Sequence, residues 1–423
     1  MGSERLISLA GVFALMFLAW LASRDTRHIN IRLISTGLVF QAAFAFVVFQ
    51  LPAGVAVFSW LNDAVLTVIG FAREGMVFVF GPLALSPGQT GPAGETSPGF
   101  ILAFQVLPSI VFFSSVVSLL YFLRVIPVLV MIFSRVFTSL MRISGAEALC
   151  ASSNIFVGIE SAVTIRPYLN AMTQSELCTV LTAGMSTIAS TVLALYVGFL
   201  HNEFPAIAGH LLSASVISAP AAIVMSKLVV PETQTPATLE ISVPVAPERR
   251  AATWIESVIN GADDGVKLCV GIVTLLLAFL GLLSMANWCL GVLATKVFGV
   301  SVSLQSILKL LYYPITIVMG VPVADAGSVA MLLGERTIVT EVVAYQHLDA
   351  LIRAGVLTNP RSITIASYAL CGFAHVASLA IFVGGYSALA AQRAKDLARV
   401  GFRALYAATL ACLMTGCIAG LFA

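Results

Sequence analysis

Asn154-Ile155-Phe156-Val157-Gly158-Ile159-Glu160-Ser161-Ala162-Val163-Thr164-Ile165-Arg166-Pro167-Tyr168 is a polar segment in an apolar neighbourhood, interrupted by Gly158 and Pro167. Polar groups are costly in lipid and persist mainly where they line a cavity, bind a solute or ion, or meet a partner helix. A similar segment, Gly334-Glu335-Arg336-Thr337-Ile338-Val339-Thr340-Glu341-Val342, occurs much later. Two such segments, each with a glutamate beside a hydroxyl residue, indicate a transporter built from two repeats around a site near the membrane midplane.

The composition places the chain in a membrane. Hydrophobic residues make up 59% of the 423 positions, charged residues make up 10%, and the mean hydropathy is +1.00. A water-facing surface needs roughly a quarter of its residues charged. We therefore expect an all-α polytopic membrane protein, with the lipid bilayer as its surroundings.

Several functions are excluded by the motifs that the sequence lacks. The Gly- and Pro-rich segment 86–95 follows no strand pattern and precedes no Gly-Lys-Ser/Thr, so it does not predict a nucleotide-binding loop. The sequence shows no set of nucleophile, base and orienting group, so we expect no enzyme and no cofactor. A net charge of +2 without a basic run argues against a nucleic-acid partner.

Basic clusters predict the topology. The first span is followed by Arg24, Arg27, His28 and Arg32, which makes that loop cytoplasmic and the N-terminus external by the positive-inside rule. We expect an integral protein of the plasma (inner) membrane with both termini outside. The expected spans are about eight, at 6–22, 33–51, 100–123, 177–200, 206–229, 268–288, 363–389 and 406–422.

The order of apolar segments and of the polar, Pro- and Gly-containing segments between them predicts four structural parts. Residues 1–99 hold scaffold helices and an interfacial helix at 56–80, and residues 231–262 form a Pro-containing cytoplasmic linker. Residues 100–230 contain a first re-entrant hairpin and a broken helix. Residues 263–423 repeat this order, with the second hairpin inside 303–345. Because the two hairpins are expected to enter from opposite faces, the halves form an inverted repeat.

Two adjacent acids, Asp263 and Asp264, precede the span at 268–288. They could bind a metal ion, but acids at the start of a helix more often interact with its N-terminal dipole and face water. We therefore interpret them as solvated charges at a helix start.

Glu160 and Glu341 are the leading candidates for solute binding, since each is expected at a hairpin tip near the midplane. The alternative is a buried glutamate paired with a scaffold arginine. An ionised carboxylate accepts hydrogen bonds from two vicinal hydroxyls, so a polyol such as ribose is a suitable ligand.

Other polar residues leave two interpretations open. His375 is a core imidazole, or else a ligand donor or a proton-sensitive switch. Asn154, Ser161, Thr187 and Ser378 offer neutral oxygens to a hard monovalent cation, or hydrogen bonds between helices.

From about residue 100 to the C-terminus, the chain resembles the concentrative nucleoside transporter family. The motifs that carry this resemblance are Ala103-Phe104-Gln105-Val106-Leu107-Pro108, Ser144-Gly145-Ala146-Glu147, Asn154-Ile155-Phe156-Val157-Gly158, Arg166-Pro167-Tyr168, Met172-Thr173-Gln174-Ser175-Glu176-Leu177, Gly184-Met185-Ser186-Thr187-Ile188-Ala189 and Cys371-Gly372-Phe373-Ala374. The resemblance implies a homotrimer that imports a nucleoside with sodium ions or protons by an elevator motion. The rival hypothesis is a nucleoside-binding membrane receptor that kept the fold but does not transport.

The resemblance also implies a set of site residues. Glu341 occupies the place of the ribose-binding glutamate, and His375 that of a ribose-binding asparagine. The first hairpin keeps Glu160 but has neither the glutamine nor the threonine with which the family reads the base, which predicts altered nucleoside selectivity. The implied substrate residues are Glu160, Ser161, Val192, Thr340, Glu341, Phe373, His375 and Ser378.

The coupling ion has two candidate sites. The family's sodium cage corresponds to Asn154, the carbonyls of Val157 and Ile188, and the hydroxyl of Thr187. His375 adds a group with an unperturbed pKa of about 6.5 beside two glutamates, which favours proton coupling. We expect a proton, with sodium as the alternative.

Overall fold

A computed structural model describes residues 2–86, 88–91, 94–158, 161–244, 251–299 and 302–423. In these ranges the chain is helical, and the only β features are isolated bridges between Thr90 and Thr96 and between Ser144 and Leu239. The helices are α1 (Ser3–Leu21), α2 (Ile31–Gln50), α3 (Pro52–Phe80), α4 (Leu102–Gln105), α5 (Leu107–Phe122), α6 (Val125–Met141), α7 (Gly145–Ser153), α8 (Ser161–Thr164), α9 (Gln174–Ser186), α10 (Ser190–Leu200), α11 (Ile207–Val229), α12 (Trp254–Phe298), α13 (Leu304–Val318), α14 (Val323–Ile338), α15 (Glu341–Arg353), α16 (Pro360–Leu370), α17 (Val376–Leu389) and α18 (Ala394–Phe422).

Long apolar helices confirm the polytopic membrane fold. Within the described ranges, eight helical segments are long and apolar enough to cross a bilayer. The segment formed by α11 is 89% buried inside the chain, whereas that formed by α12 is only 6% buried. The core of the molecule therefore surrounds α11, and α12 lies at its periphery.

Helix α3 is continuous over 29 residues, and its length and hydropathy also qualify it as a span. Its contacts are those of a helix lying along one end of the bundle. Near its start, Asn62 Oδ1 accepts a hydrogen bond from Gly209 N at the beginning of α11. At its end, Phe80 packs against Phe104, just before α5. These contacts favour the interfacial placement predicted for residues 56–80.

Hairpin 1 consists of α7 and α8. Ser144 caps α7, and Glu147 completes the capping box, so the backbone N–H groups at the base of the hairpin are satisfied. Glu147 also pairs with Lys227 near the end of α11, with 2.6 Å between Glu147 Oε1 and Lys227 Nζ. The base of hairpin 1 therefore lies at the C-terminal end of α11.

Hairpin 2 consists of α14 and α15. Arg353, at the end of α15, lies 3.6 Å from the carboxylate of Glu203, just before α11 begins. The two hairpins thus have their bases at opposite ends of α11. This arrangement confirms the predicted inverted repeat.

The predicted boundaries of hairpin 2 need correction. Residues 304–318 form the separate helix α13, which packs along α14, and the hairpin itself extends to Arg353. The turn between α13 and α14 contains Gly320 with φ +87°, where a Cβ would lie 2.2 Å from Ser8 Oγ. Only glycine permits this turn, and the turn ends α13 before the hairpin starts.

Both predicted broken helices are broken. The first divides into α9 and α10 at residues 187–189, and the second into α16 and α17 at residues 371–375. The backbone groups at these breaks lack part of their intrahelical hydrogen bonding and can face a ligand.

Helix α12 differs most from its prediction. It begins at Trp254, inside the expected linker, where Thr253 Oγ1 accepts a hydrogen bond from Glu256 N. Asp263 and Asp264 therefore lie about three turns into a 45-residue helix, and the prediction of charges at a helix start is wrong. The first half of α12 packs closely along α5 because a Cβ at Gly261 or Gly265 would lie 2.6 Å from α5 backbone atoms.

Candidate functional site

A cavity of about 420 Å³ lies where the hairpin tips meet the two helix breaks and α12. The structure brings most of the predicted substrate residues to this cavity. Those that line it are Val192, Thr340, Glu341, Phe373, His375 and Ser378.

Glu341 is the first residue of α15, and its side chain is only about 4% exposed. Tyr196 Oη donates a hydrogen bond to Glu341 Oε1 at 2.8 Å. The N-terminal end of a helix also favours a negative charge. Glu341 is thus held by a tyrosine and a helix terminus, and among the described residues no arginine pairs with its carboxylate.

Two oxygen atoms at the tip of hairpin 2 belong to residues that line the cavity. Glu341 Oε2 lies 3.0 Å from His375 Nε2. Thr340 Oγ1 is buried and, within the described ranges, has no hydrogen-bond partner. Because buried polar atoms are normally paired, Thr340 Oγ1 indicates a position for a polar ligand next to Glu341.

His375 forms the N-cap of α17. Its Nδ1 accepts a hydrogen bond from Ser378 N at 3.2 Å. With Nδ1 used as an acceptor, Nε2 is the ring nitrogen that can donate, and it lies 3.0 Å from Glu341 Oε2.

Ser378 lines the cavity but uses its hydroxyl proton within the break. Its Oγ donates to the carbonyl of His375 at 2.7 Å and also contacts the carbonyl of Phe373. It can therefore offer a ligand only an acceptor oxygen.

In hairpin 1, the predicted Glu160 lies outside the described residues. Ser161 is fully buried and does not line the cavity, and its Oγ donates a hydrogen bond to Asn154 Oδ1 at 3.0 Å. The prediction that Ser161 contacts substrate is therefore not supported, because its hydroxyl is occupied inside the hairpin.

The predicted sodium ligands lie on two adjoining segments, the end of α7 and the break before α10. A hydrogen bond of 3.1 Å from Ser190 N to the carbonyl of Phe156 joins these segments. Thr187 Oγ1 donates to the carbonyl of Ala183 at 2.9 Å, and Asn154 Nδ2 donates to the carbonyl of Cys150 at 3.0 Å. Both side chains keep oxygen lone pairs, and unwound carbonyls beside them suit a sodium ion.

Sequence reasoning missed three polar residues near the cavity. Tyr196 is the hydrogen-bond donor to Glu341, and nothing in the sequence of α10 distinguishes it from a core tyrosine. Asp264 and Lys267 line the cavity from α12. The cap formed by Thr253 and Glu256 is the sequence signal that could have placed the start of α12 correctly.

Comparisons with known proteins show the family to which this chain belongs. Family models described as the N-terminus and the C-terminus of the Na+ dependent nucleoside transporter match residues 10–83 and 210–420, and a model described as nucleoside recognition matches residues 103–203. The uncharacterized transporter YutK of Bacillus subtilis is 36% identical over 98% of each chain. Solute carrier family 28 member 3 of Mus musculus is 35% identical over 434 residues, and this chain spans 59% of its length. The structure of CNTnw in an inward-facing substrate-bound state is 34% identical with a TM-score of 0.89, covering 99% of this chain and 98% of that one.

Proposed function

Because this chain belongs to the concentrative nucleoside transporter family, whose members are membrane transporters and not enzymes, we propose that it imports nucleosides together with sodium ions. The observation that carries this proposal is the buried carboxylate of Glu341 in the cavity wall next to the hydroxyl of Thr340, which has no hydrogen-bond partner among the described residues. Ribose presents two vicinal hydroxyls, and a carboxylate oxygen beside a threonine hydroxyl matches that pattern.

The coupling ion is proposed to be sodium. Family models that match both ends of the chain describe sodium dependence. The oxygens of Asn154 and Thr187 and the carbonyls near them form a suitable donor set. In contrast, Nδ1 of His375 is used as the hydrogen-bond acceptor that caps α17. This geometry favours sodium, which the sequence analysis gave as the alternative to a proton.

The proposed mechanism is an elevator motion. The hairpins and broken helices pack together around α11 and α18, whereas α12 packs mainly along α5. The cavity lies between these two bodies, since its lining includes α12 on one side and hairpin 2 on the other. Sliding one body past the other would move a bound nucleoside across the membrane without dismantling its site.

The proposed orientation keeps both termini outside. Arg24 N donates to the carbonyl of Val229, and Arg393 Nη1 donates to the carbonyl of Met172, so two basic loops lie at one end of the bundle. That end is assigned to the cytoplasm by the positive-inside rule. Arg361 contacts Glu4 and the carbonyl of Gly420 at the opposite end.

A homotrimer in the inner membrane is proposed from the same family membership. Large apolar side chains on α12, such as Leu277 and Trp288, are exposed in the single chain. Lipid or a second copy of the chain would cover them.

The test is uptake into proteoliposomes containing the purified protein. An inward sodium gradient at fixed pH is expected to accumulate labelled nucleoside, and a pH gradient in sodium-free buffer is not. Binding of nucleoside without uptake under either gradient would instead support the receptor hypothesis.

His375→Asn separates the two ions further. Asparagine can cap α17 as histidine does but cannot titrate, so sodium-driven uptake is expected to stay within about threefold of the wild type. His375→Ala, which removes the cap, is the matched control and is expected to lower uptake. Loss of uptake in His375→Asn, together with uptake driven by a pH gradient in the wild type, would establish proton coupling.

A further inference from the structure

Asp264 and Lys267 form an ion pair on the α12 wall of the cavity. Lys267 Nζ lies 2.8 Å from Asp264 Oδ1. The side chain of Lys267 is 75% exposed and that of Asp264 is 63% exposed. Charged side chains on a membrane helix are expensive unless they face water or a polar partner. The cavity is the space that both of them line.

One face of α12 forms this wall. Asp264, Lys267, Leu268, Gly271 and Leu275 follow the spacing of three to four residues that places side chains on one side of a helix. Gly271 has no packing reason to be glycine, because a Cβ there would have no neighbour within 4 Å among the described atoms. It leaves a flat surface one turn beyond Lys267, where a planar ring can lie.

The base of a bound nucleoside needs polar partners on this wall. Among the described residues of hairpin 1, Gly158 lines the cavity and offers no side chain, and a buried base edge left unpaired loses binding energy. Among the described residues of the cavity, the ionisable side chains other than Glu341 and His375 are Asp264 and Lys267. We infer that Asp264 and Lys267 bind the edge of the base and select guanosine; this inference rests on the proposed nucleoside transport.

The choice of guanosine follows from hydrogen-bond chemistry. A carboxylate can accept two parallel hydrogen bonds, and guanine offers N1–H and its 2-amino group side by side. The ammonium group of Lys267 can donate to O6 next to them. Inosine lacks the 2-amino group and loses one of these bonds, and adenine presents an acceptor at N1 where the carboxylate needs a donor. The expected order of affinity is guanosine, then inosine, then adenosine.

The experiment measures competition by unlabelled guanosine, inosine and adenosine against sodium-driven uptake of labelled uridine in proteoliposomes. Asp264→Asn is expected to weaken inhibition by guanosine about tenfold while changing inhibition by adenosine less than about threefold. Lys267→Met is expected to weaken inhibition by guanosine and by inosine, the two competitors whose bases carry O6.

Asp263→Asn is the matched control, because Asp263 is the neighbouring acid on α12 and does not line the cavity. It should leave the order of the three competitors unchanged. Both aspartates are exposed, so folding is expected to survive either change, and size-exclusion chromatography checks it. A guanosine-to-adenosine ratio that stays the same in Asp264→Asn, or that shifts equally in Asp263→Asn, would overturn the inference while leaving nucleoside transport standing. Failure of every nucleoside to be taken up or to compete in the wild type would overturn the proposed function and this inference together.

Discussion

At the scale of single residues, the sequence indicated the ligand-binding positions better than their partners. Glu341 could be found because an acid beside a hydroxyl residue in an apolar membrane segment is usually functional. Its donor Tyr196 could not be found, because a tyrosine in a buried helix has the same pattern whether it packs or binds. The role of His375 as the cap of α17 also required the structure, since it depends on which ring nitrogen accepts the N–H of Ser378.

Glu341→Gln tests the ribose contact. The amide keeps the size of the side chain but loses the charge, and a hydrogen bond to a charged group contributes about 1.5–3 kcal/mol. Nucleoside affinity, measured by isothermal titration in detergent, is expected to fall at least about tenfold.

Glu335→Gln is the control for this change. Glu335 belongs to the same hairpin, but its carboxylate meets His347 at 2.8 Å and does not line the cavity. Its replacement should leave nucleoside affinity nearly unchanged. Normal binding by Glu341→Gln would show that the ribose assignment is wrong.

At the scale of secondary-structure elements, two of the motifs that carry the family resemblance stabilise helix starts. Ser144 with Glu147, and Thr173 with Glu176, form capping boxes at the starts of α7 and α9. Lys227 lies between these starts and pairs with Glu147. The positions of the helix breaks followed from their glycines and neighbouring hydroxyl residues. The start of α12 did not, because its early charges resembled the beginning of a helix.

Lys227→Met tests the buried network. Removing one partner of a buried ion pair leaves an uncompensated charge and costs about 3–5 kcal/mol. The thermal midpoint in detergent is therefore expected to fall by about 5–10 °C. Lys395→Met, at an exposed position of α18, should change it little. Equal midpoints for the two variants would mean that the network does not stabilise the base of hairpin 1.

At the scale of the whole molecule, the cavity is shared by two bodies, one with the hairpins and broken helices and the other with α5 and α12. Composition and repeat order predicted the bundle and its inverted halves. They could not show that one face of α12 completes the cavity, since the register of a long apolar helix depends on its neighbours and not on its own pattern.

A cross-link between the two bodies tests their relative motion. In a variant without the native cysteines, Gly271→Cys on α12 and Val342→Cys on α15 place one thiol on each side of the cavity. A bifunctional thiol reagent is expected to lower uptake about tenfold or more, and a cleavable linker should restore uptake after reduction. Cross-linked Ser118→Cys and Ser257→Cys, whose native Oγ atoms lie 3.0 Å apart between α5 and α12, should transport normally. Full activity of the cross-linked Gly271/Val342 pair would contradict the elevator motion.

The proposed sodium site gives the transporter an expected sensitivity to voltage. Asn154 and Thr187 offer the ion neutral oxygens, so a cycle that carries one sodium ion and a neutral nucleoside is expected to move one positive charge inward. A membrane potential of 100 mV, negative inside, then contributes about 2.3 kcal/mol to accumulation. In vesicles clamped with potassium and valinomycin, this potential should raise the equilibrium nucleoside gradient about 50-fold over that at zero potential. A gradient that does not respond to the potential would mean that a compensating charge moves outward in each cycle.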